Sequence, residues 1–274
     1  MILLALAMAL GSVVAAPTAG SASSVAVAAL VLGAGRGDRL GHALPKAFVP
    51  IGGRTLIERS IRALAASGAF GRIQPVLAAS EFDRFDALGL VGPMAGVVEG
   101  VVAPVEGGTQ RQDSMRAGLA ALPQTVEFVA VHDAARCLVA VADLRAVVAA
   151  ARAAGAAILG ERVRDTLKRV ASGRIVETPK REECWAAQTP QVFRRDWLEE
   201  AVAAATTAGR LGTDDAQLIE WIGHPVTMVE ATRPNPKITR PEDLLLAEAL
   251  LAEAHPHHGE ALGGEERSAE DGTG

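Results

Sequence analysis

Val25-Ala26-Val27-Ala28-Ala29-Leu30-Val31-Leu32 runs without a break into Gly33-Ala34-Gly35-Arg36-Gly37. A Val-rich run with no polar alternation reads as a strand covered on both faces, the habit of parallel sheets. The glycines that end it form a loop able to turn several backbone N–H groups toward an anion. The loop is not the dinucleotide fingerprint, because G-x-G-x-x-G begun at Gly33 would need glycine where Asp38 stands. It is not a Walker loop either, since no Gly-Lys-Ser/Thr follows.

Outward from this strand, helical and strand periods alternate. Thr55-Leu56-Ile57-Glu58 has the form of a capping box, and Ile61, Leu64 and Ala65 continue an apolar helical face. Strands are expected at 73–79, 97–102, 127–131, 156–159 and 226–229. Helices are expected at 113–122, 142–154, 196–208, 213–222 and 239–254, with Asp196 and Thr239 as caps and Glu199 and Glu242 as their box partners. This order implies an α/β, Rossmann-like fold: a mostly parallel sheet with helices on both faces. Residues 163–183 break the pattern. An alternating stretch, an Ala171-Ser172-Gly173 turn and a return strand read as a protruding β-hairpin arm. Such a hairpin is marginal alone, so it is expected to pack on something, a second subunit being the natural choice.

Composition narrows the classes. A chain of 274 residues with 49% hydrophobic and 22% charged residues is long enough for a large core and too apolar for disorder. Its net charge is −5 and it has no tyrosine, which disfavours a nucleic-acid binder needing a cationic surface and stacking rings. Cys137 and Cys184 are too few for a disulfide framework or a four-thiolate metal site. The charge is uneven, because residues 254–274 hold five acids and one base, leaving the body almost neutral. That stretch reads as a disordered acidic tail, with His255, His257 and His258 solvated within it. Residues 1–24 read as a non-structural leader. The apolar run 2–10 and Val14-Ala15-Ala16 outline a secretory signal, but the first Lys or Arg is Arg36, so a charged n-region is missing. No later run is long enough to span a membrane without a break.

In open α/β sheets, ligands bind beyond the carboxyl ends of the strands. Four clusters sit at such ends. Arg36, Arg39 and Lys46 lie in and just after the first loop, which by itself is either a tight turn or a phosphate site. Gly107-Gly108-Thr109-Gln110-Arg111-Gln112-Asp113-Ser114 is a glycine turn opening a helix, suited to an anion or base edge, or simply a helix capped by Asp113 or Ser114. His132-Asp133-Ala134-Ala135-Arg136 ends a strand. Its carboxylate suits magnesium bound to phosphates, or else pairs with Arg136, and His132 is read as structural. Arg233-Pro234-Asn235-Pro236-Lys237 is a proline-stiffened loop that aims Lys237 just before the last helix.

Taken in order and spacing, these clusters with Val163-Arg164-Asp165-Thr166, Trp185-Ala186-Ala187-Gln188-Thr189-Pro190-Gln191, Thr213-Asp214 and the stretch 235–243 resemble the cytidylyltransferases that act on sugar-alcohol phosphates. Within them, the chain over about residues 25–253 is most similar to the 2-C-methyl-D-erythritol 4-phosphate cytidylyltransferases. The resemblance implies one nucleotidyltransferase domain, 25–253, of the nucleotide-diphospho-sugar transferase type. It implies transfer of CMP from CTP to the polyol phosphate with release of pyrophosphate, a Mg2+ cofactor, a cytoplasmic site, no nucleic-acid or membrane partner, and a homodimer whose hairpin arm 163–183 crosses to the partner. It assigns Arg39, Lys46, Arg181 and Lys237 to catalysis. Ala34, Gly35, Gly37, Gly108, Arg111 and Ser114 are assigned to the nucleotide. Asp133, Arg136, Thr166 and Thr189 are assigned to the substrate, some from a partner chain, and Asp133 also to the metal. Gly33, Ala47, Thr109 and Cys137 depart from the usual pattern, Thr109 replacing a frequent Asp in the base-reading loop. A pentitol-phosphate cytidylyltransferase and a catalytically silent nucleotide-binding module stand as alternatives.

Overall fold

A computed structural model describes residues 26–91 and 98–254. The expected leader, the acidic tail with its histidines and the start of the 97–102 strand lie outside the described residues. Strand β1 (Val27–Leu32) is buried along its whole length, as its unbroken apolar run requires. Its even and odd residues point to opposite faces. Val27, Ala29 and Val31 join a core with Ile57, Ile61, Leu64, Leu144, Val147 and Ala151. Ala28 and Leu30 join another with Met115, Leu119, Phe193, Leu198, Val202 and Ile219. Helices therefore cover both faces of the sheet.

In chain order the elements after β1 are β2 (Pro50–Ile51), β3 (Arg54–Thr55), α1 (Leu56–Ser67), β4 (Arg72–Leu77), α2 (Phe82–Asp86), β5 (Val105–Glu106), α3 (Arg111–Ala120), β6 (Phe128–Asp133), α4 (Val141–Ala154), β7 (Ala156–Arg162), β8 (Arg169–Ala171), β9 (Arg174–Glu177), β10 (Trp185–Arg194), α5 (Arg195–Thr207), α6 (Asp215–Trp221), β11 (Thr227–Glu230) and α7 (Pro241–Ala254). The main sheet has seven strands in the order β11-β7-β10-β6-β1-β4-β5. β1 pairs in parallel with β4 and β6, β4 with β5, and β11 with β7. Only β10 runs antiparallel, between β6 and β7. The expected mostly parallel α/β architecture is present. No helix among the described residues is long and apolar enough to cross a membrane.

Several local expectations are corrected. No strand forms over 98–102. Val101 makes an isolated bridge to Ile73, because Gly100 turns to φ 80° and breaks the extended backbone. The ten-residue β10 had no strand signal, since Gln188, Thr189, Pro190 and Gln191 interrupt its apolar period. Helix α3 is capped by Gln110, with Asp113 reciprocating, rather than by Asp113 or Ser114. Arg194, not Asp196, precedes the first turn of α5, because the Asp196 carboxylate is bound by the Arg194 guanidinium. Before α7, Asp243 Oδ2 accepts from Thr239 N at 2.7 Å and Arg240 N at 2.8 Å, while Glu242 pairs with Arg240 instead. Thr55 caps α1 as expected, accepting from Glu58 N at 3.2 Å.

The hairpin is present as β8 and β9, a separate two-stranded sheet. All its residues are exposed, including Val170 at 56% and Ile175 at 64%. Among the described residues nothing packs closely over that apolar surface.

Helix α3 approaches the sheet through Gly118. A Cβ there would lie 2.8 Å from Val76 Cγ2 and 3.0 Å from Leu30 Cδ2. Gly118→Val should therefore force α3 off the sheet and lower stability by about 1–3 kcal/mol in urea unfolding.

Candidate active site

The loop after β1 is tied to the neighbouring strand, with Gly33 N donating to Val76 O at 2.8 Å. It turns through Gly37 at φ 75° into a short 3-10 turn, Asp38–Leu40, anchored by buried Leu40. A Cβ on Gly37 would fall 2.4 Å from Lys46 Cβ, so glycine is required both by the backbone and by the lysine stem passing beside it. Lys46 begins a second 3-10 turn held by buried Ala47 and Phe48. Burial, and then the nearby Lys237 cation, bring its ammonium down to about 8. Two of the departures noted above meet here, since a Cβ on Gly33 would contact Ala47 Cβ at 3.2 Å.

The second loop hangs from β4 by Gly107 N donating to Leu77 O at 2.7 Å. Ser114 is buried, and its Oγ accepts from Gly108 N at 3.2 Å, so it shapes the loop from behind. Thr109 lies on the cavity side.

At the end of β6, Asp133 is held by two cations from distant parts of the chain. Arg111 Nε lies 3.0 Å from Oδ1 and Lys237 Nζ lies 2.6 Å from Oδ2. Burial alone would raise this carboxyl, but Arg111 and Lys237 overcome it and hold it well below the usual carboxylate range. Arg111 Nη1 also meets Asp215 Oδ2 at 2.7 Å. Burial opposes the Arg111 charge, and Asp215 and Asp133 outweigh that and keep it protonated. The Asp133–Arg136 pair considered above is not formed. Arg136 instead donates to Asn235 O at 2.9 Å and Ala187 O at 3.2 Å. Lys237 is aimed by its neighbour Ile238, which is fully buried and donates its N–H to Ala135 O at 2.9 Å. Thr189 Oγ1 accepts from Asp133 N at 3.0 Å and lies 3.1 Å from His132 Nδ1. Burial holds the His132 imidazole down at about 4, so it is neutral, and it supports the strand end as expected.

A cavity of about 590 Å³ gathers Ala34, Gly35, Arg36, Gly37, Arg39, Lys46, Gly108, Arg111, Ser114, Asp133 and Lys237. A smaller one of about 230 Å³ adjoins it through Arg111, Asp133 and Lys237 and adds Arg136, Thr189, Gln188 and Thr213. Two expected residues stay away. Arg181 and Thr166 are exposed in the arm segment, where Arg181 donates to Arg164 O at 3.2 Å and pairs with Glu182. Among the described residues no cluster of three His, Cys, Asp or Glu could hold a metal by itself. One carboxylate beside a cavity lined by Arg39, Lys46 and Lys237 does fit Mg2+ carried mainly by nucleotide phosphates. Sequence reading missed Asp215 and Gln191. Gln191 and Thr213-Asp214 stood among the segments that carry the resemblance, but no role was attached to Gln191 or to the adjoining Asp215.

Residues 27–253 match the family model described as IspD: 2-C-methyl-D-erythritol 4-phosphate cytidylyltransferase. The chain is 45% identical over 226 residues to the 2-C-methyl-D-erythritol 4-phosphate cytidylyltransferase of Geobacillus kaustophilus (strain HTA426), covering 82% of this chain and 96% of that one. It is similar to the crystal structure of the Thermus thermophilus protein of the same name, with TM-score 0.65 and 36% identity over 82% of this chain and 98% of that one. The 4-diphosphocytidyl-2C-methyl-D-erythritol synthase of Anaerococcus prevotii DSM 20548 has TM-score 0.72 and 26% identity over 82% and 98% of the two chains.

The lowered Lys46 makes anion binding pH-dependent. Lys46 is cationic below its value of about 8 and neutral above it. Affinity for inorganic tripolyphosphate, measured by calorimetry, should hold from pH 7 to 7.5 and fall as pH rises through 8. Lys46→Met should bind weakly throughout and lose that step.

Proposed function

The chain belongs to the 2-C-methyl-D-erythritol 4-phosphate cytidylyltransferase family, and from that membership we propose how its residues share the work. It transfers CMP from CTP to 2-C-methyl-D-erythritol 4-phosphate, giving 4-diphosphocytidyl-2-C-methyl-D-erythritol and pyrophosphate in the non-mevalonate isoprenoid pathway. A phosphate oxygen of the substrate forms a bond to the CTP α-phosphorus while the bond to the β-phosphate oxygen breaks. The attacking phosphate is already ionised, so no general base is required. Catalysis then rests on alignment and on neutralising charge at the α-phosphate.

The observation that carries this reading is the convergence of Arg39, Lys46 and Lys237 on one cavity beside Asp133. Arg39 and Lys46 face the triphosphate. The glycine loops at 33–37 and 107–108, shaped by Ala34 and Ser114, receive the nucleoside. Lys237 leaves Asp133 to hold the incoming phosphate, and Asp133 is then open to a substrate hydroxyl or to the metal. Mg2+, when bound, neutralises phosphate charge, and Asp133 is the residue here that would hold it. Arg136 and Thr189 border the smaller cavity, where the polyol fits.

Arg181 and Thr166 are assigned to the neighbouring subunit's site in a homodimer. The exposed apolar hairpin supports this, since Val170, Ile175 and Val176 stay exposed among the described residues. A cytoplasmic location follows from the supply of CTP.

The test is pyrophosphate release from CTP and magnesium with 2-C-methyl-D-erythritol 4-phosphate, with ribitol 5-phosphate as the control. Release with the first and not the second is expected, and no release with either overturns the reading. Lys46→Ala and Lys237→Ala should each lower kcat by about 10²–10³-fold while melting like the parent. For the arm, inactive Arg181→Ala and inactive Lys237→Ala chains should regain activity when refolded together, because one of the two sites in a mixed dimer is then intact. No recovery would place Arg181 outside the partner's site.

A further inference from the structure

Asp215 lines neither cavity, yet it is the end of an ion-pair chain that reaches Lys237. It is the first residue of α6 and only 2% exposed. Its position is set by β10: Gln191 Oε1 accepts from Asp215 N at 3.1 Å and from Ala216 N at 2.9 Å. Gln191 Nε2 also donates to Asp214 Oδ2 at 2.8 Å, so the start of α6 is clamped on both sides. The Asp215 carboxylate is thus a fixed point to which the guanidinium of Arg111 is tied.

We propose that Asp215 is a positioning residue for the transfer reaction: it takes one edge of the Arg111 guanidinium so that Asp133 keeps an oxygen for Lys237. The argument is one of charge and geometry. Arg111 uses Nη1 on Asp215 and Nε on Asp133 Oδ1, which leaves Oδ2 to Lys237. Burial pushes the Asp215 carboxyl up and the Arg111 guanidinium at 2.7 Å opposes that; with both acids ionised, two carboxylates and two cations balance. Without Asp215, Arg111 has a single counter-ion in a buried place, and its full charge falls on Asp133. Arg111 and Lys237 then compete for that carboxylate, and Lys237 loses the partner that parks it at the entrance to the smaller cavity. Asp215 lines neither cavity itself; its side chain reaches them through Arg111, and its backbone is held by Gln191, which borders the smaller one.

This inference rests on the reading of Lys237 as the residue that receives the substrate phosphate. It predicts a split between the two substrates. In the full chain with CTP and 2-C-methyl-D-erythritol 4-phosphate varied separately, Asp215→Asn should raise KM for the polyol phosphate about tenfold. KM for CTP should stay within about twofold, because Arg39 and Lys46 are untouched. Arg111→Met, whose side chain borders both cavities, should raise both KM values. The double substitution should be no worse than Arg111→Met alone, since residues acting through one another are not additive. If Asp215→Asn does not fold, Arg111→Met against Arg111→Met with Asp215→Asn still decides, because the double variant removes both charges together. Equal rises in both KM values for Asp215→Asn, an unchanged Asp215→Asn, or a further loss in the double variant overturns the positioning role while the parent still turns over. A parent that releases no pyrophosphate overturns the functional reading and this inference with it.

Discussion

A carboxylate buried at the end of a central strand is costly unless it is paired. Asp133 is 7% exposed, and the surrounding structure answers that cost. Arg111 comes from the start of α3, and Lys237 comes from the loop before α7. Arg111 is itself buried enough to need Asp215, and Asp215 is fixed by Gln191 on β10. One electrostatic demand therefore draws segments around residues 111, 133, 191, 215 and 237 to the same place. The two cavities form on either side of this knot, which is why they share Arg111, Asp133 and Lys237.

The cations that face the larger cavity, Arg39 and Lys46, have no carboxylate of their own in contact in the described structure, unlike Arg111 and Lys237. Lys46 instead sits near Arg39 and Lys237, and burial with like charge weakens its hold on the proton. Asp133 offsets part of that repulsion, and an entering polyanion would offset more of it. A site of this kind serves a reaction that needs charge neutralised rather than a proton moved. The net charge of −5 conceals it, because electrostatics within about a Debye length decide what binds.

Much of the fold was legible because its signals are local. β1 is a continuous apolar run, and α1 and α4 carry clean helical periods, so their existence follows from neighbours a few residues apart. β10 escaped because its polar residues are turned inward to serve other segments. Gln191 binds α6, Thr189 binds Asp133, and Pro190 interrupts the apolar pattern. The helix caps slipped by a residue or more for a related reason. Near residue 110 and near residue 243 several side chains could cap, and tertiary partners chose among them. Ser114 was drawn to the Gly108 loop and left the cap to Gln110.

The site divides along the same line. Sequence alone determined the class of fold and the order of the motif segments, because periodicity and motif spacing are properties of the chain read in one dimension. Tertiary structure decided which cation pairs with Asp133, that Arg136 turns to backbone carbonyls, and that Asp215 belongs to the network at all. It also decided that Thr166 and Arg181 stand apart from the cavity of their own chain. Those outcomes depend on distances between residues up to 104 positions apart, and Coulomb's law acts through space, where no spacing along the chain records it.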